Sequence, residues 1–417
     1  MEQIVVKYSP RGASLRERSI AAAAACANSS GATSSLASSI VSVTRSEADR
    51  AGISEREPPP FARLFASFGS RGGLLLVVPA AALFFVVLVT TTLWDGEVRT
   101  WTTISLPNAY FQAVTHAVVA WTLHKVNRPG GAYEVISETG LNHKWARRVR
   151  LALGGILVVI AVYSAYFLTL TFANIDALVT HDELITDDVV VLGIGVVTPA
   201  EWVDRDAWIA TIQATIVLVV VCYAVDLMTC FQILVVVACV ARELKDLKAL
   251  VHSCDAQFWN QAVVPAAKHV AKRTMPTLAR GWTPGMSMAT AWLVYHVLLD
   301  GVKLGLHSDW RVIVNLTLSV VVLLCLLLMP LRIERGCKEV EKALASRALD
   351  ALETSPAAAE PAMALREVLT TGPNWGWPVA GVHVTKRLLI RGAGVAVTLW
   401  TLMGGALGDV SGVDSGE

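Results

Sequence analysis

The chain has 417 residues, 54% hydrophobic and only 17% charged, with a mean hydropathy of +0.53 and a formal net charge of +1. Soluble domains carry about 25% charged residues, so this composition excludes an ordinary soluble protein. Several stretches are long and apolar enough to cross a bilayer as helices, and the predicted class is an all-α, polytopic membrane protein.

Residues 1–72 are polar, Ser- and Ala-rich and basic, and read as a disordered cytoplasmic tail ending near "SEREPPP". "SIAAAAACA" after Arg16 and Arg18 has the layout of a short signal-peptide core. Alanine is a poor hydrophobe, so the tail is the simpler reading. Seven spans are predicted beyond it, in a domain over 73–407: residues 74–94, 104–123, 151–172, 208–240, 285–306, 311–331 and 387–407. The fourth is over-long, roughly 50 Å at helical rise, and must tilt or project into water. The fifth is the least regular because Asp300 and Lys303 sit in it, one turn apart and able to pair.

Basic residues crowd one side. The N-terminal tail has nine Lys or Arg, the second loop six, the fourth seven and the sixth eight; the first, third and fifth have one, one and two. The positive-inside rule then places the N-terminus in the cytoplasm, and an odd number of spans places the C-terminus and a short tail, 408–417, outside the cell. That orientation is inverted relative to a G-protein-coupled receptor. The third loop carries Asp176, Asp182, Glu183, Asp187, Asp188, Glu201, Asp204 and Asp206 against Arg205. It either concentrates cations at the outer face or is an ordinary solvated loop.

The cytoplasmic segments, about 241–284 and 332–387, begin as amphipathic rods. In "ACVARELKDLKALVHSCD", Leu244, Leu247, Leu250 and Val251 recur at helical spacing, with Arg242, Glu243, Lys245, Asp246 and Lys248 on the remaining face. In "IERGCKEVEKALASRALDALE" the apolar marks are Val340, Leu344 and Leu349. The rods bury these faces on each other, on other subunits, or on the membrane surface.

Within the last span, a predicted pore helix over about 387–407, Thr398, Thr401, Leu402 and Gly405 share a helical face, with Met403 beside them. A ring of such faces could line a narrow pore, with threonine hydroxyls facing water and Leu402 or Met403 as a dewetting gate. From this helix alone, tight packing of small residues, with threonine bonded to its own backbone, is the simpler reading. Asp226 lies deep in the fourth span beside Tyr223, near the predicted cytoplasmic boundary, with Gln232 following. His116 and His296 read as hydrogen-bonded helix residues rather than metal ligands. The seven cysteines avoid the outer loops and show no zinc spacing. No nucleotide-binding loop, catalytic triad or inverted repeat is visible, so no enzyme, cofactor, metal or nucleic-acid partner is expected.

Together these traits resemble the insect chemoreceptor superfamily, the gustatory and odorant receptors and their gustatory-receptor-like relatives. The resemblance rests on seven spans with a cytoplasmic N-terminus and on the over-long fourth helix entering "VARELKDLKAL". It also rests on the closing segment "VHVTKRLLIRGAGVAVTLWTLM". Gustatory receptors usually close with Thr-Tyr, a run of apolar residues, then Gln-Phe. Here Thr398 fits, but Leu399 replaces the tyrosine, and Gly405 and Ala406 stand in for Gln-Phe, marking a divergent relative.

The resemblance implies a homotetrameric, ligand-gated, non-selective cation channel of the plasma membrane. Its partners would be copies of itself, membrane lipids, a small organic ligand and permeant cations. The pore would be lined by Thr398, Thr401, Leu402, Met403 and Gly405. The ligand would bind among the second to sixth helices, near Tyr110, Tyr163, Tyr166 and Phe167, and near Trp208, Gln213, Tyr295 and Asn315. A transporter or a non-conducting membrane scaffold of the same topology is the alternative.

Overall fold

The computed structural model describes residues 56–92 (except 58), 100–155 (except 139 and 143), scattered helical positions from 157 to 169, 205–254, 259–306, 310–353, 356–371, 375–379, 382–385, and helical positions 387, 388, 390, 391, 394, 398 and 401. In chain order these are β1 (Arg56–Glu57), α1 (Ala62–Phe68), a 3₁₀ turn over Arg71–Val77, α2 (Val78–Thr92), α3 (Thr100–Val126), α4 (Ala132–Ser137) and β2 (Leu141–Asn142). Then come α5 (Arg205–Ser253), α6 (Trp259–His269), α7 (Met275–Leu306), α8 (Trp310–Leu352), α9 (Pro356–Thr370), β3 (Pro378–Val379) and β4 (Val382–His383). Residues 144–155 are also helical and form the base of the third predicted span.

Three helical segments among the described residues are long and apolar enough to cross a membrane: Arg71–Leu88, Gln213–Ser253 and Leu316–Leu352. They match the first, fourth and sixth predicted spans. α3 is weaker by composition, and many of its polar residues turn inward. Gln112, Thr115, His116, Thr122 and His124 of α3 are all buried inside the bundle, out of contact with lipid.

α5 is the axis of the fold. Its 49 residues rise about 74 Å, far more than a bilayer core. Val235 to Val240, six residues in succession, are all buried, as expected of a helix enclosed by neighbours. α2, α3 and α8 pack along it, and α7 packs between α3 and α8.

Below the apolar level the two long helices continue as rods and pack on each other, one of the covers that the sequence allows. Leu244, Leu247 and Val251 of α5 face Val340 and Leu344 of α8 in one buried core. Gly336 allows the approach: a Cβ there would come 2.8 Å from Leu244 Cδ1. Two details differ from the predicted faces. Arg242 and Glu243 are buried, at 6% and 4% exposure, because α5 is covered on more than one side. Leu349 is 64% exposed, because it points away from the helix face that buries Val340, Leu344 and Ala348.

Burial pushes the Cys337 thiol up, and Glu334 and Glu341 add to the shift. The hydrogen bond from Lys248, 3.2 Å away, holds the Glu339 carboxylate below its ordinary range, with Arg335 assisting.

The polar end contains more helix than the sequence suggests. α6 runs through a π-helical turn, Val270–Thr274, directly into α7, so the fifth predicted span starts ten residues late relative to its helix. Structure also begins before position 73: β1 pairs antiparallel with β2, and Phe65 of α1 is buried against Tyr133, with ring centroids 5.2 Å apart.

The segment leading to the last span is docked rather than loose. Trp375 Nε1 donates to Glu341 Oε1 at 2.8 Å, and Trp377 Nε1 donates to Thr283 Oγ1 at 3.2 Å. His383 Nδ1 lies 3.2 Å from Glu334 Oε2, and the β3–β4 hairpin pairs Pro378 with His383.

Candidate functional site

Three helices each bring a polar–aromatic pair to one place. Gln112 and His116 lie four residues apart on α3, Tyr223 and Asp226 three apart on α5, and Trp292 and His296 four apart on α7, so each pair shares a helical face. His116 Nδ1 and Asp226 Oδ2 are 2.7 Å apart and share a hydrogen bond. Gln112 Nε2 donates to the Tyr223 hydroxyl at 3.2 Å. The rings enclose the pair: His116 to Tyr223 is 5.3 Å between centroids, His116 to Trp292 is 5.9 Å, and Trp292 stacks on His296 at 5.3 Å.

Depth makes the pair unusual. The rise from Arg128, just past the end of α3, back to His116 is roughly 18 Å along the helix, near the middle of a bilayer core. Titratable side chains at such depth are costly and mark functional positions by default.

The site is chemically incomplete by itself. His116 Nε2, Asp226 Oδ1, Trp292 Nε1 and Thr115 Oγ1 are buried without a hydrogen-bond partner among the described residues. Buried polar atoms in folded proteins are satisfied, so these call for a small polar guest or water. Asp226 is 20% exposed and Tyr223 36%, which opens the cluster on its α5 side. An acceptor, an indole donor and an imidazole nitrogen within aromatic walls have the composition of a small-molecule site.

A second polar network closes the floor. Asn127 Nδ2 donates to Leu123 O, Gln232 Nε2 to Asn127 Oδ1 at 2.5 Å, and Trp282 Nε1 to Gln232 Oε1 at 3.3 Å. Gln232 is fully buried, so this network joins α3, α5 and α7 beneath the His116 cluster.

The structure places the sequence-predicted ligand residues as follows. Tyr110 and Tyr295 are half-buried, Tyr110 edge-on to Phe84 at 5.4 Å and Tyr295 edge-on to Phe111 at 6.0 Å. Gln213 is exposed, a few turns above Tyr223 on α5. Trp208 and Asn315 are helical positions near the starts of α5 and α8. Tyr163, Tyr166 and Phe167 lie outside the described residues.

Of the predicted pore residues, Thr398 and Thr401 are helical and exposed, and Thr398 Oγ1 donates to Gly394 O at 3.0 Å, the backbone bond that the sequence allows. Leu402, Met403 and Gly405 lie outside the described residues, as does the acidic third loop up to Asp204. The sequence reading did not join His116 to Asp226, nor did it single out Gln112 and Trp292. The signal was present, a polar residue one turn from an aromatic or acidic one on three separate helices.

No protein-family model matches the chain, and no curated protein matches it by sequence. Among solved structures, it is similar to the insect olfactory receptor OR5 from Machilis hrabei, solved in complex with eugenol. The TM-score is 0.55 at 12% identity, over 79% of this chain and 87% of that one. At such identity the likeness is one of fold. The chain therefore shares the fold of that receptor.

Proposed function

We propose that this protein is a ligand-gated, non-selective cation channel of the plasma membrane that senses a small organic molecule. The observation that supports it best is the His116–Asp226–Trp292 cluster, half-way through a fold shared with a receptor that binds eugenol. In this reading the ligand sits among α3, α5 and α7. It engages the orphaned polar atoms and reaches toward Tyr110 and Tyr295, with Tyr163, Tyr166, Phe167, Trp208, Gln213 and Asn315 as further candidates.

The polar end lies in the cytoplasm with the N-terminus, and the C-terminus lies outside. Four copies assemble around the last helix, whose Thr398, Thr401, Leu402, Met403 and Gly405 face the conduction path. Apolar side chains left exposed on the polar-end helices support self-association: Leu349 is 64% exposed, Leu352 43%, Met363 53% and Val368 55%. Side chains of this kind outside the bilayer require a cover, and neighbouring copies supply it.

Whole-cell and single-channel recording after heterologous expression, with a panel of small volatiles that includes eugenol, tests the proposal. The expected result is an evoked cation current whose unitary conductance changes in Leu402→Ala and Met403→Ala. Substrate flux without unitary openings, from protein shown to be at the surface, would favour a carrier and overturn the channel.

A further inference from the structure

The helix over residues 144–155 carries Lys144, Arg147 and Arg148 on one face, all exposed. One turn later the exposed side of this span is apolar: Leu151 is 67% exposed, Val158 64% and Val162 65%. Exposed aliphatic side chains suit hydrocarbon, and cations immediately below them mark the headgroup level. α8 makes the same switch. Val321, Leu324 and Leu328 are exposed, and Arg332 follows one turn after Leu328.

Trp145 ties the two switch points together. The Arg332 guanidinium lies 4.7 Å from the centre of its ring, so both helices turn from apolar to cationic at one depth. The ion pairs of this end go to other cations: Arg242, Lys248, Arg273, Arg335 and Lys338. Among the described residues, Lys144, Arg147, Arg148 and Arg332 have no carboxylate partner.

We propose that these four cations and Trp145 form a binding site for the phosphate headgroup of an anionic phospholipid, whose acyl chains lie over Leu151 and Leu328. A guanidinium matches phosphate with parallel N–H donors, and stacking on Trp145 holds Arg332 in place before the lipid arrives. The apolar strips directly above the cations commit the site to a lipid rather than to a soluble phosphate. The site is separate from the His116 cluster and does not depend on conduction.

Native mass spectrometry of the full chain in neutral detergent, with added phosphatidylinositol 4-phosphate or phosphatidylcholine, tests it. The anionic lipid should be retained and phosphatidylcholine should not. Retention should fall about a hundredfold in R147Q/R148Q/R332Q, with the thermal midpoint unchanged. Three exposed lysines elsewhere on the polar end provide the control, and K245Q/K268Q/K272Q should retain the lipid. Equal retention of both lipids, equal loss in the control variant, or full displacement by millimolar glycerol 3-phosphate would each overturn the site.

Discussion

Asp226→Leu alone is expected to destabilise the protein by ~3 kcal/mol, and His116→Leu by a similar amount. Each single change strands a buried polar partner: His116 is 1% exposed, and its Nδ1 shares its hydrogen bond with Asp226 of α5. Removing one member of a buried pair costs the full desolvation of the other, whereas replacing both with apolar groups is close to neutral. H116L/D226L should therefore recover most of the lost stability, giving a coupling energy well above the ~0.5 kcal/mol typical of independent sites. Thermal unfolding of the purified protein in detergent, run as a double-mutant cycle, measures this. A ligand response should be lost in all three variants, including the stable double one, because the polar anchors are gone. A double variant that is stable and still responds would separate the cluster from ligand recognition.

Gly376→Val is expected to cost ~2–3 kcal/mol and to disable gating while the bundle stays folded. Gly376 has φ of +112°, a conformation that side-chain-bearing residues rarely adopt. A Cβ there would lie 2.6 Å from Glu334 Oε2 and 3.0 Å from the His383 ring. It would push apart the two residues that hold the β3–β4 hairpin to α8, and this hairpin feeds the last helix. Trp375 and Trp377, docked on Glu341 and Thr283, would move with it, so tryptophan emission should shift toward water. Glu341→Gln keeps an acceptor for Trp375 Nε1 and should cost under ~1 kcal/mol. Normal ligand-evoked currents in Gly376→Val, with normal surface expression, would show that the docked segment does not couple the rods to the last helix.

The class of fold is legible in the residues because bilayer physics writes it plainly. An apolar run that outlasts a bilayer and continues as Leu244, Leu247 and Val251 reads as a helix that projects beyond the membrane. The core contact with Val340 and Leu344 is one of the covers that this spacing allows. What periodicity could not show is pairing across the chain. His116 and Asp226 are 110 residues apart, and nothing local to either announces the other. The docking of Trp375 and Trp377 was hidden for a different reason. The segment has no repeating apolar pattern, and its order comes from indole hydrogen bonds to Glu341 and Thr283 on other elements. Arg242 and Glu243 misled because charge was read as exposure, whereas α5 is surrounded at that level and holds both inside. Of the predicted ligand residues, Tyr110 packs edge-on to Phe84 and Tyr295 edge-on to Phe111.

A channel of this design exists only as a ring around the last helix, so the number of copies in a particle tests the proposal most directly. Native mass spectrometry or single-particle imaging of the full chain in mild detergent should find four copies of the 44.7 kDa chain with four-fold symmetry. A stable monomer, its Leu349 and Met363 surfaces still bare, would contradict it.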